Sequence, residues 1–200
     1  MRQFLIEEIK SWERFYRANF INCLTGFKPV SLIGSISGSG VPNLSVVSSI
    51  VHLGADPALI GYINRPVAAA PDTITNIQQT KSYTIQESFL HQAHQCSAKY
   101  LPDVNEFEAT SLTEWYEEGI VAPFVKEAAV RYEMELVEIA PIQYNNTFFV
   151  IGQLKSVFLD EAIVGADGFL DLSAAGSIVS IGLDGYAKAE MITRLPYAKP

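Results

Sequence analysis

Short polar side chains interrupt an aliphatic segment that follows a glycine-rich turn at Gly38 and Gly40. The polar residues are Asn43, Ser45, Ser48 and Ser49, and the aliphatic residues between them are Leu44, Val46, Val47 and Ile50. Hydroxyl and amide groups set among core-type side chains can hold a polar ligand against an apolar wall. An ordinary strand and turn, whose Ser and Asn side chains bond to the local backbone, gives the same pattern. The spacing alone leaves both interpretations open.

A second group of polar residues, from Arg65 onwards, has the chemistry of an anion site. Arg65 follows an apolar run that starts at Ala58, and a guanidinium can bind phosphate through two parallel hydrogen bonds. Asp72 or Thr73 is expected to cap a short helix, whose first turn offers free N–H groups to an anion. A solvated arginine and simple helix capping would explain the same residues. The nearness of the two features along the chain favours the phosphate interpretation.

The histidines and cysteines are the remaining residues that suit metal or redox chemistry. His91 and His94 lie three residues apart in a predicted helix, a spacing that suits two metal ligands. No acidic or cysteine partner stands at ligand spacing beside them, so we predict no metal site. A histidine beside a substrate pocket, a solvated one and a buried one all stay open as interpretations. Cys23 and Cys96 are too few for a disulfide framework or a self-contained zinc site.

Length, composition and charge limit the classes of protein. A chain of 200 residues with 48% hydrophobic side chains can bury a sizeable core, so we expect one domain over residues 1–200. No run of eighteen apolar residues occurs, and charged residues stand where a signal peptide needs an apolar block. We therefore expect a cytoplasmic protein. A net charge of −8 argues against general binding to nucleic acid or anionic membranes, although it permits a local phosphate site.

The first half of the chain supplies the elements that would position these residues. A stripe of four apolar residues at helical spacing predicts one amphipathic N-terminal helix with a packing surface on Ile9, Trp12, Tyr16 and Phe20. Strands are predicted from Val30, along the segment after Gly38, and over residues 58–63, and we expect these three to be adjacent. A strand over 82–86 follows, and then a helix that contains Phe89, Leu90 and Ala93.

The second half of the chain is rich in strands. Residues 130–137 alternate between apolar and charged side chains, and a long apolar strand from Thr147 follows, with Gly152 as a predicted bulge. Trp115 is expected in a short helix or cover. Many strands at regular spacing with few short helices predict a mainly β protein, a closed or nearly closed β-barrel with covering helices.

Several short motifs occur in an order and spacing that resemble a known family. They are Thr25–Ser35, Pro42–Ser49 with Asp56-Pro57, Arg65-Pro66, Asp72–Ile77, Ala93–Lys99, Ala122–Glu127 and Gly182–Tyr186. Together they resemble the flavin-reductase-like proteins, an FMN-binding split β-barrel family of Greek-key type, and within it the branch similar to flavoredoxin. The resemblance covers almost the whole chain.

This resemblance implies a cofactor site on the residues singled out above. It implies that the flavin ring and ribityl chain lie along residues 43–50, with main-chain groups near Val46 and Val47 at the polar edge of the ring. The hydroxyls implied there are those of Ser45, Ser48 and Ser49. The implied contacts of the FMN phosphate are Arg65, Thr73 and Asn76. The residues implied on a nicotinamide or acceptor side are His94, Ser97 and Lys99.

The chain also departs from the family pattern in the segment that would line the flavin. The family often has Thr at position 45, Pro at position 46 and an aromatic residue at 47 or 49, whereas this chain has Ser45, Val46, Val47 and Ser49. The resemblance therefore implies a pocket wall that is smaller and more aliphatic than usual.

The same resemblance implies a homodimer with FMN near the subunit boundary and an NAD(P)H-dependent flavin reductase as its activity. Hydride transfer to a flavin needs no protein acid or base, and no catalytic residue is predicted. An FMN electron carrier that a partner reduces is the alternative. A split barrel without flavin, used for haem or for assembly, is a third hypothesis, although no Cys-x-x-Cys-His motif is present. NAD(P)H use rests on the resemblance alone, because the glycines after Gly34 lack the dinucleotide-binding spacing.

Overall fold

The computed structural model describes residues 1–87, 90–101 and 104–199. Its α-helices are α1 (Ile6–Ser11), α2 (Arg14–Leu24), α3 (Pro71–Thr80), α4 (Leu90–Gln95) and α5 (Glu106–Ala109), and a 3₁₀ turn covers Glu161–Ile163. Its strands are β1 (Lys28–Pro29), β2 (Ser31–Ile36), β3 (Pro42–Val47), β4 (Val51–Ala55), β5 (Ala58–Asn64), β6 (Ser82–Glu87), β7 (Glu114–Trp115), β8 (Phe124–Val125), β9 (Val130–Ile142), β10 (Thr147–Leu159), β11 (Ile178–Ile181) and β12 (Gly185–Lys188). None of the helices in the described ranges has the length and apolar character needed to cross a bilayer.

Seven strands form one antiparallel sheet in the order β3-β2-β6-β9-β10-β5-β4. Its two edge strands, β3 and β4, are consecutive in the chain and are joined by residues 48–50 alone. A link this short spans roughly 14 Å at most, so the two edges of the sheet must meet. Ser49 Oγ completes the closure, because it accepts the N–H of Ile63 at 3.0 Å and donates to the Ile63 carbonyl at 3.3 Å. The sheet therefore curls into a nearly closed barrel, which confirms the predicted fold class.

Apolar side chains pack on both faces of β2, because successive residues of a strand point to opposite sides. The inward set, which we call the barrel core, comprises Ile33, Tyr62, Ile77, Tyr83, Ile85, Met134 and Val150. The other set, the outer cluster, comprises Val30, Leu32, Leu44, Ala93, Cys96, Phe107, Leu112, Val125 and Ala128. Helix α3 contributes Ile77 to the barrel core, while α4 and α5 cover the outer cluster. Three partly buried side chains at the margin of the outer cluster are Val46, Ile178 and Tyr186.

The long β9–β10 hairpin contains the predicted bulge. The register between the two strands shifts at Ile151 and Gly152, which confirms the irregularity expected at this glycine. A Cβ atom at position 152 would overlap with the hydroxyl of Tyr83. A glycine is therefore needed here because the buried tyrosine ring packs directly against the strand backbone.

The single N-terminal helix predicted from the aromatic stripe is wrong. The chain forms two helices, because the Glu13 side chain accepts the N–H groups of Phe15 and Tyr16 at 2.8 and 3.1 Å and starts α2 afresh. No residue of α1 or α2 is buried. The aromatic rings pack on one another instead, with the Trp12 and Phe20 centroids 5.0 Å apart.

The prediction that three strands are adjacent is wrong, and the short helix that was one of two alternatives for Trp115 is not formed. Strand β5 pairs with β4 and β10 rather than lying beside β2 and β3, because the chain crosses the barrel opening at residues 48–50. Trp115 lies in β7, paired with Phe124 of β8, rather than in a helix. Its ring lies 5.2 Å from that of Phe158, so a tertiary aromatic contact favours the extended form. Phe89, expected in the helix before His91, lies outside the described residues.

Candidate functional site

Five polar side chains from β2, β3 and α3 form one hydrogen-bonded network, the β2–β3–α3 network, made of Ser35, Asn43, Ser45, Thr73 and Asn76. Asn43 Nδ2 donates to Ser35 Oγ at 3.1 Å and to Thr73 Oγ1 at 3.0 Å. Thr73 Oγ1 donates to Ser45 Oγ at 3.0 Å, and Asn76 Nδ2 approaches Ser35 Oγ at 3.3 Å. Ser45 is half-buried and the other four are buried. The network ties α3 to the β2–β3 hairpin.

The register of the β2–β3 hairpin explains why these side chains meet. Ser35 pairs with Asn43 and Ile33 pairs with Ser45, and paired residues point to the same face of a sheet. The turn between the strands fixes this register, since Ser37 and Val41 are joined by a backbone hydrogen bond of 2.9 Å. Helix α3 then covers that face. The hairpin register therefore places Asn43 and Ser45 against the start of α3.

Thr73 and Asn76 turn their side chains into this network rather than towards solvent. The single hydroxyl proton of Thr73 is donated to Ser45, and Asn76 is 5% exposed. Both residues position α3 and the Asn43 side chain through these bonds. Direct contact of their side chains with a phosphate stays a prediction.

The remainder of the 43–50 segment divides between the two apolar clusters. Val46 packs against the outer cluster, whereas Val47 and Ile50 pack against the barrel core. Ser49 is held by the backbone of Ile63. The half-buried hydroxyl of Ser48 has no hydrogen-bond partner within the described ranges. Ser48 is therefore a hydroxyl of this segment that is free to meet a ligand.

Arg65 and the start of α3 lie at the two ends of a compact loop. The N–H groups of Ala69 and Ala70 bond to the Pro66 carbonyl at 2.8 and 3.1 Å, which folds the loop back on itself. Arg65 is exposed, and among the described residues its guanidinium has no acceptor. The helix begins at Pro71 with Ala70 as its N-cap and without a side-chain cap, so the predicted capping by Asp72 or Thr73 is wrong. The first N–H groups of α3 thus lack a side-chain acceptor.

A cleft of about 170 Å³ lies beside the α3 start, between it and the β2–β3 hairpin. Its polar lining includes the carboxylates of Asp72 and Glu106, and no cationic side chain is among the described residues that line it. Glu106 Oε2 accepts the Leu44 N–H at 3.2 Å, and burial, with a smaller effect from Asp72, raises the pKa of Glu106 above its usual value. Two carboxylates would repel a phosphate. The cleft itself is therefore unsuited to an anion.

The three residues expected on the acceptor side lie on or just after α4. His94, Ser97 and Lys99 are all exposed, and Ser97 Oγ donates to the His94 carbonyl at 2.6 Å. His94 Nδ1 lies 3.0 Å from the hydroxyl of Tyr186 in β12. His91 is exposed as well. In the part of the chain that the structure describes, no three His, Cys, Asp or Glu side chains form a group that could hold a metal ion.

Comparison with known proteins agrees with this architecture. Residues 27–170, well over half of the chain, match the family model described as a flavin reductase like domain. This chain belongs to the flavin-reductase-like family. A crystal structure from Shewanella frigidimarina NCIMB 400, whose description proposes a flavin reductase with a split barrel domain, shares 45% sequence identity with this flavin-reductase-like protein. Its TM-score is 0.95, and the alignment covers 99% of this chain and 100% of that one.

Two more distant structures share the fold of this flavin-reductase-like protein. Nitrilotriacetate monooxygenase component B from Bacillus cereus is 21% identical, with a TM-score of 0.85 and 98% of each chain covered. Flavoredoxin of Desulfovibrio vulgaris (Miyazaki F) is 19% identical, with a TM-score of 0.75 over 86% of this chain and 92% of that one. The fold of this chain is therefore shared by a protein described as a monooxygenase component and by one described as a flavoredoxin.

Two residues of the candidate site of this flavin-reductase-like protein were not found from its sequence. Ser35 accepts from both Asn43 and Asn76, and the register of the hairpin across the Gly38 turn could have indicated it. Tyr186 belongs to the Gly182–Tyr186 motif, but its contact with His94 joins positions 92 residues apart. No local spacing could have indicated that pair.

Replacing Glu106 by glutamine should change how the stability of the protein depends on pH. The pKa of Glu106 is raised in the folded state. As the pH rises from about 4, the Glu106 carboxyl therefore loses its proton in the unfolded state before it does so in the folded state. As the pH rises through this range, the free energy of unfolding of the wild type should therefore fall relative to that of Glu106→Gln. The glutamine side chain keeps an acceptor for the Leu44 N–H. Urea unfolding at pH 4, 5, 6 and 7 checks this. A difference in free energy of unfolding between wild type and Glu106→Gln that stays constant over the four pH values would contradict the burial of the carboxylate. The control is Glu108→Gln, which changes an exposed carboxylate of α5.

Proposed function

We propose that this protein binds FMN and reduces it with NAD(P)H by hydride transfer from the nicotinamide. Membership of the flavin-reductase-like family supports the flavin as ligand. The observation that carries the proposal is the pairing of a free Arg65 guanidinium with an α3 N-terminus that has no side-chain cap. Both features lie on one compact loop next to the 43–50 segment. This combination suits a ligand with a dianionic phosphate at one end and an apolar ring at the other.

Candidate contacts are present for the phosphate, the ribityl chain and the ring of FMN. Arg65 and the first N–H groups of α3 would hold the phosphate, outside the cleft that Asp72 and Glu106 line. The free hydroxyl of Ser48 would meet the ribityl chain, and the half-buried Val46 and Val47 would provide the aliphatic wall of the ring. Asn43, Ser45, Thr73 and Asn76 would act behind this surface by holding β3 and α3 in place.

When bound, FMN supplies the redox chemistry by taking a hydride from the nicotinamide and passing on the electrons. The protein binds and orients the two rings and keeps water from between them. We further propose that the chain works as one domain and as a homodimer, with FMN near the subunit boundary. His94, Ser97 and Lys99 would lie on the nicotinamide or acceptor side.

Titration with FMN and anaerobic mixing with NADH and NADPH test the proposal. We expect FMN to bind with a change in its absorbance spectrum, and the bound flavin to bleach rapidly with at least one nicotinamide. Binding without bleaching would favour the alternative, an electron carrier that a partner protein reduces. Absence of FMN binding would overturn both functions and leave a split barrel that serves another purpose.

A further inference from the structure

The cleft between the start of α3 and the β2–β3 hairpin contains two amide oxygens that lack hydrogen-bond donors. Asn43 and Asn76 line this cleft, and they are only 7% and 5% exposed. Their Nδ2 atoms donate within the β2–β3–α3 network. In the part of the chain that the structure describes, neither Oδ1 atom accepts a hydrogen bond. Each asparagine therefore has one unused acceptor.

These two oxygens open onto the cleft. A carbonyl oxygen enclosed in a core without a donor costs free energy, but neither Oδ1 atom is among the fully enclosed atoms that lack a partner. Because both residues line the cleft, its interior is the space that these oxygens face. The volume of about 170 Å³ is below the range of pockets for drug-sized ligands. A small ligand with N–H or O–H donors would satisfy both acceptors.

Two carboxylates in the same cleft decide the charge of that ligand. Among the described residues, the Asp72 carboxylate receives no hydrogen bond, and Glu106 uses only Oε2, which accepts the Leu44 N–H. Burial and, to a smaller extent, the charge of Asp72 raise the pKa of Glu106, so the two carboxylates are close enough to repel each other. The positive end of the α3 dipole, about half a charge, offsets only part of two negative charges. A cation in the cleft would relieve the repulsion.

The apolar part of the lining favours an organic cation over a metal ion. Val41, Pro42 and Val104 form this part, and methylene groups gain from contact with such side chains whereas a hydrated metal ion does not. Mg²⁺ and Ca²⁺ need six or more oxygen ligands, and the described ranges hold no group of three acidic, histidine or cysteine side chains suited to a metal. A primary ammonium group carries three N–H donors, which match carboxylate and amide acceptors.

We propose that this cleft binds the ammonium group of a small aliphatic amine. Its three N–H groups are donated to the Glu106 carboxylate and to the Oδ1 atoms of Asn43 and Asn76, while Asp72 adds negative charge. The alkyl chain lies against the apolar part of the lining. Because both asparagines belong to the β2–β3–α3 network, the amine also strengthens the contact between α3 and the hairpin. This site uses no flavin, so it goes beyond the proposed function and does not depend on it.

Titration of the whole chain with n-butylammonium chloride, followed by ¹H–¹⁵N NMR, tests the proposal. Sodium chloride is adjusted to hold the ionic strength constant, because a protein of net charge −8 attracts any cation weakly. We expect saturable shifts of the side-chain amide resonances of Asn43 and Asn76, with a Kd of roughly 1 mM for so small a ligand. 1-Butanol lacks the charge and tetramethylammonium lacks N–H donors, so each should bind roughly tenfold more weakly or less.

Substitution of the two carboxylates gives a second measurement in the same titration. Glu106→Gln should weaken n-butylammonium binding roughly tenfold, since a half-buried charged acceptor is lost, and it keeps an acceptor for the Leu44 N–H. Asp72→Asn should weaken binding roughly threefold, because solvent screens this exposed carboxylate. Asp72→Asn breaks no hydrogen bond within the described ranges, so it tests the site even if Glu106→Gln fails to fold. Glu108→Gln, which changes an exposed carboxylate of α5, is the control and should match the wild type.

Several results would overturn the proposal. The first is the absence of saturable shifts at Asn43 and Asn76. The second is equal affinity for tetramethylammonium or 1-butanol, or equal weakening in Glu108→Gln, which would reduce the effect to unspecific attraction. The third is tighter binding of Mg²⁺ or Ca²⁺ at the same resonances, which would assign the cleft to a metal ion. Failure of the proposed function is recognised separately, because it appears in the FMN titration and not in this one.

Discussion

Gly34→Ala is expected to lower the free energy of unfolding by about 3 kcal/mol, the upper end of what overpacking a core costs. Gly34 is buried in β2 between Leu44 and Thr84 of the neighbouring strands. A Cβ atom there would overlap with the Pro123 carbonyl oxygen and the Thr84 hydroxyl. These two atoms are joined by a 2.5 Å hydrogen bond that anchors the segment before β8 to the sheet. A backbone carbonyl cannot move aside as a flexible side chain can.

Urea unfolding of the wild type and of two glycine variants measures this effect. Gly38→Ala is the matched control, because a Cβ atom at that position meets only the Oε1 end of the Gln79 side chain at 3.2 Å, which can shift. We expect the loss in Gly38→Ala to be well under that of Gly34→Ala. Equal losses would mean that any added methyl group in this hairpin is destabilising, and the specific contact with Pro123 would then be unimportant.

The general form of the barrel was predictable because it depends on local patterns. Alternation of apolar and charged residues identified β9, and the glycine within the following apolar run identified the bulge at Gly152. The order of the strands in the sheet was harder to predict from the sequence. Strands β3 and β4 are neighbours in sequence but form opposite edges of the sheet, and only the closure of the barrel brings them together. Local periodicity carries no information about such closure.

The candidate site was predictable as a set of residue types but not as a set of roles. The polar segment and Arg65 were found because their side chains are unusual for their positions. The sequence did not indicate that Thr73 and Asn76 face inward, because their orientation depends on how α3 docks on the β2–β3 hairpin. The break before α2 was missed for a simpler reason. In the sequence, Glu13 fits the charged face of one continuous helix. In the structure, its carboxylate caps the start of α2.

Arg65→Ala is expected to weaken FMN binding roughly tenfold to a hundredfold, which is the range for losing hydrogen bonds to a charged group. Arg65 is exposed and has no acceptor within the described ranges, so its removal leaves no buried partner unpaired. The loss should appear in ligand affinity and not in protein stability. Fluorescence titration with FMN and with riboflavin separates the phosphate from the rest of the ligand.

Riboflavin lacks the phosphate, so its affinity should stay within a factor of about two in Arg65→Ala if the guanidinium contacts only that group. Arg65→Lys should recover part of the FMN affinity, because the charge returns without the planar fork that binds two oxygens. Arg14→Ala, which removes one positive charge from exposed α2, controls for the change in net charge. Parallel loss of FMN and riboflavin would show that Arg65 supports the ring or the loop. The phosphate would then have to be held by the first turn of α3 alone, whose dipole is opposed there by Asp72.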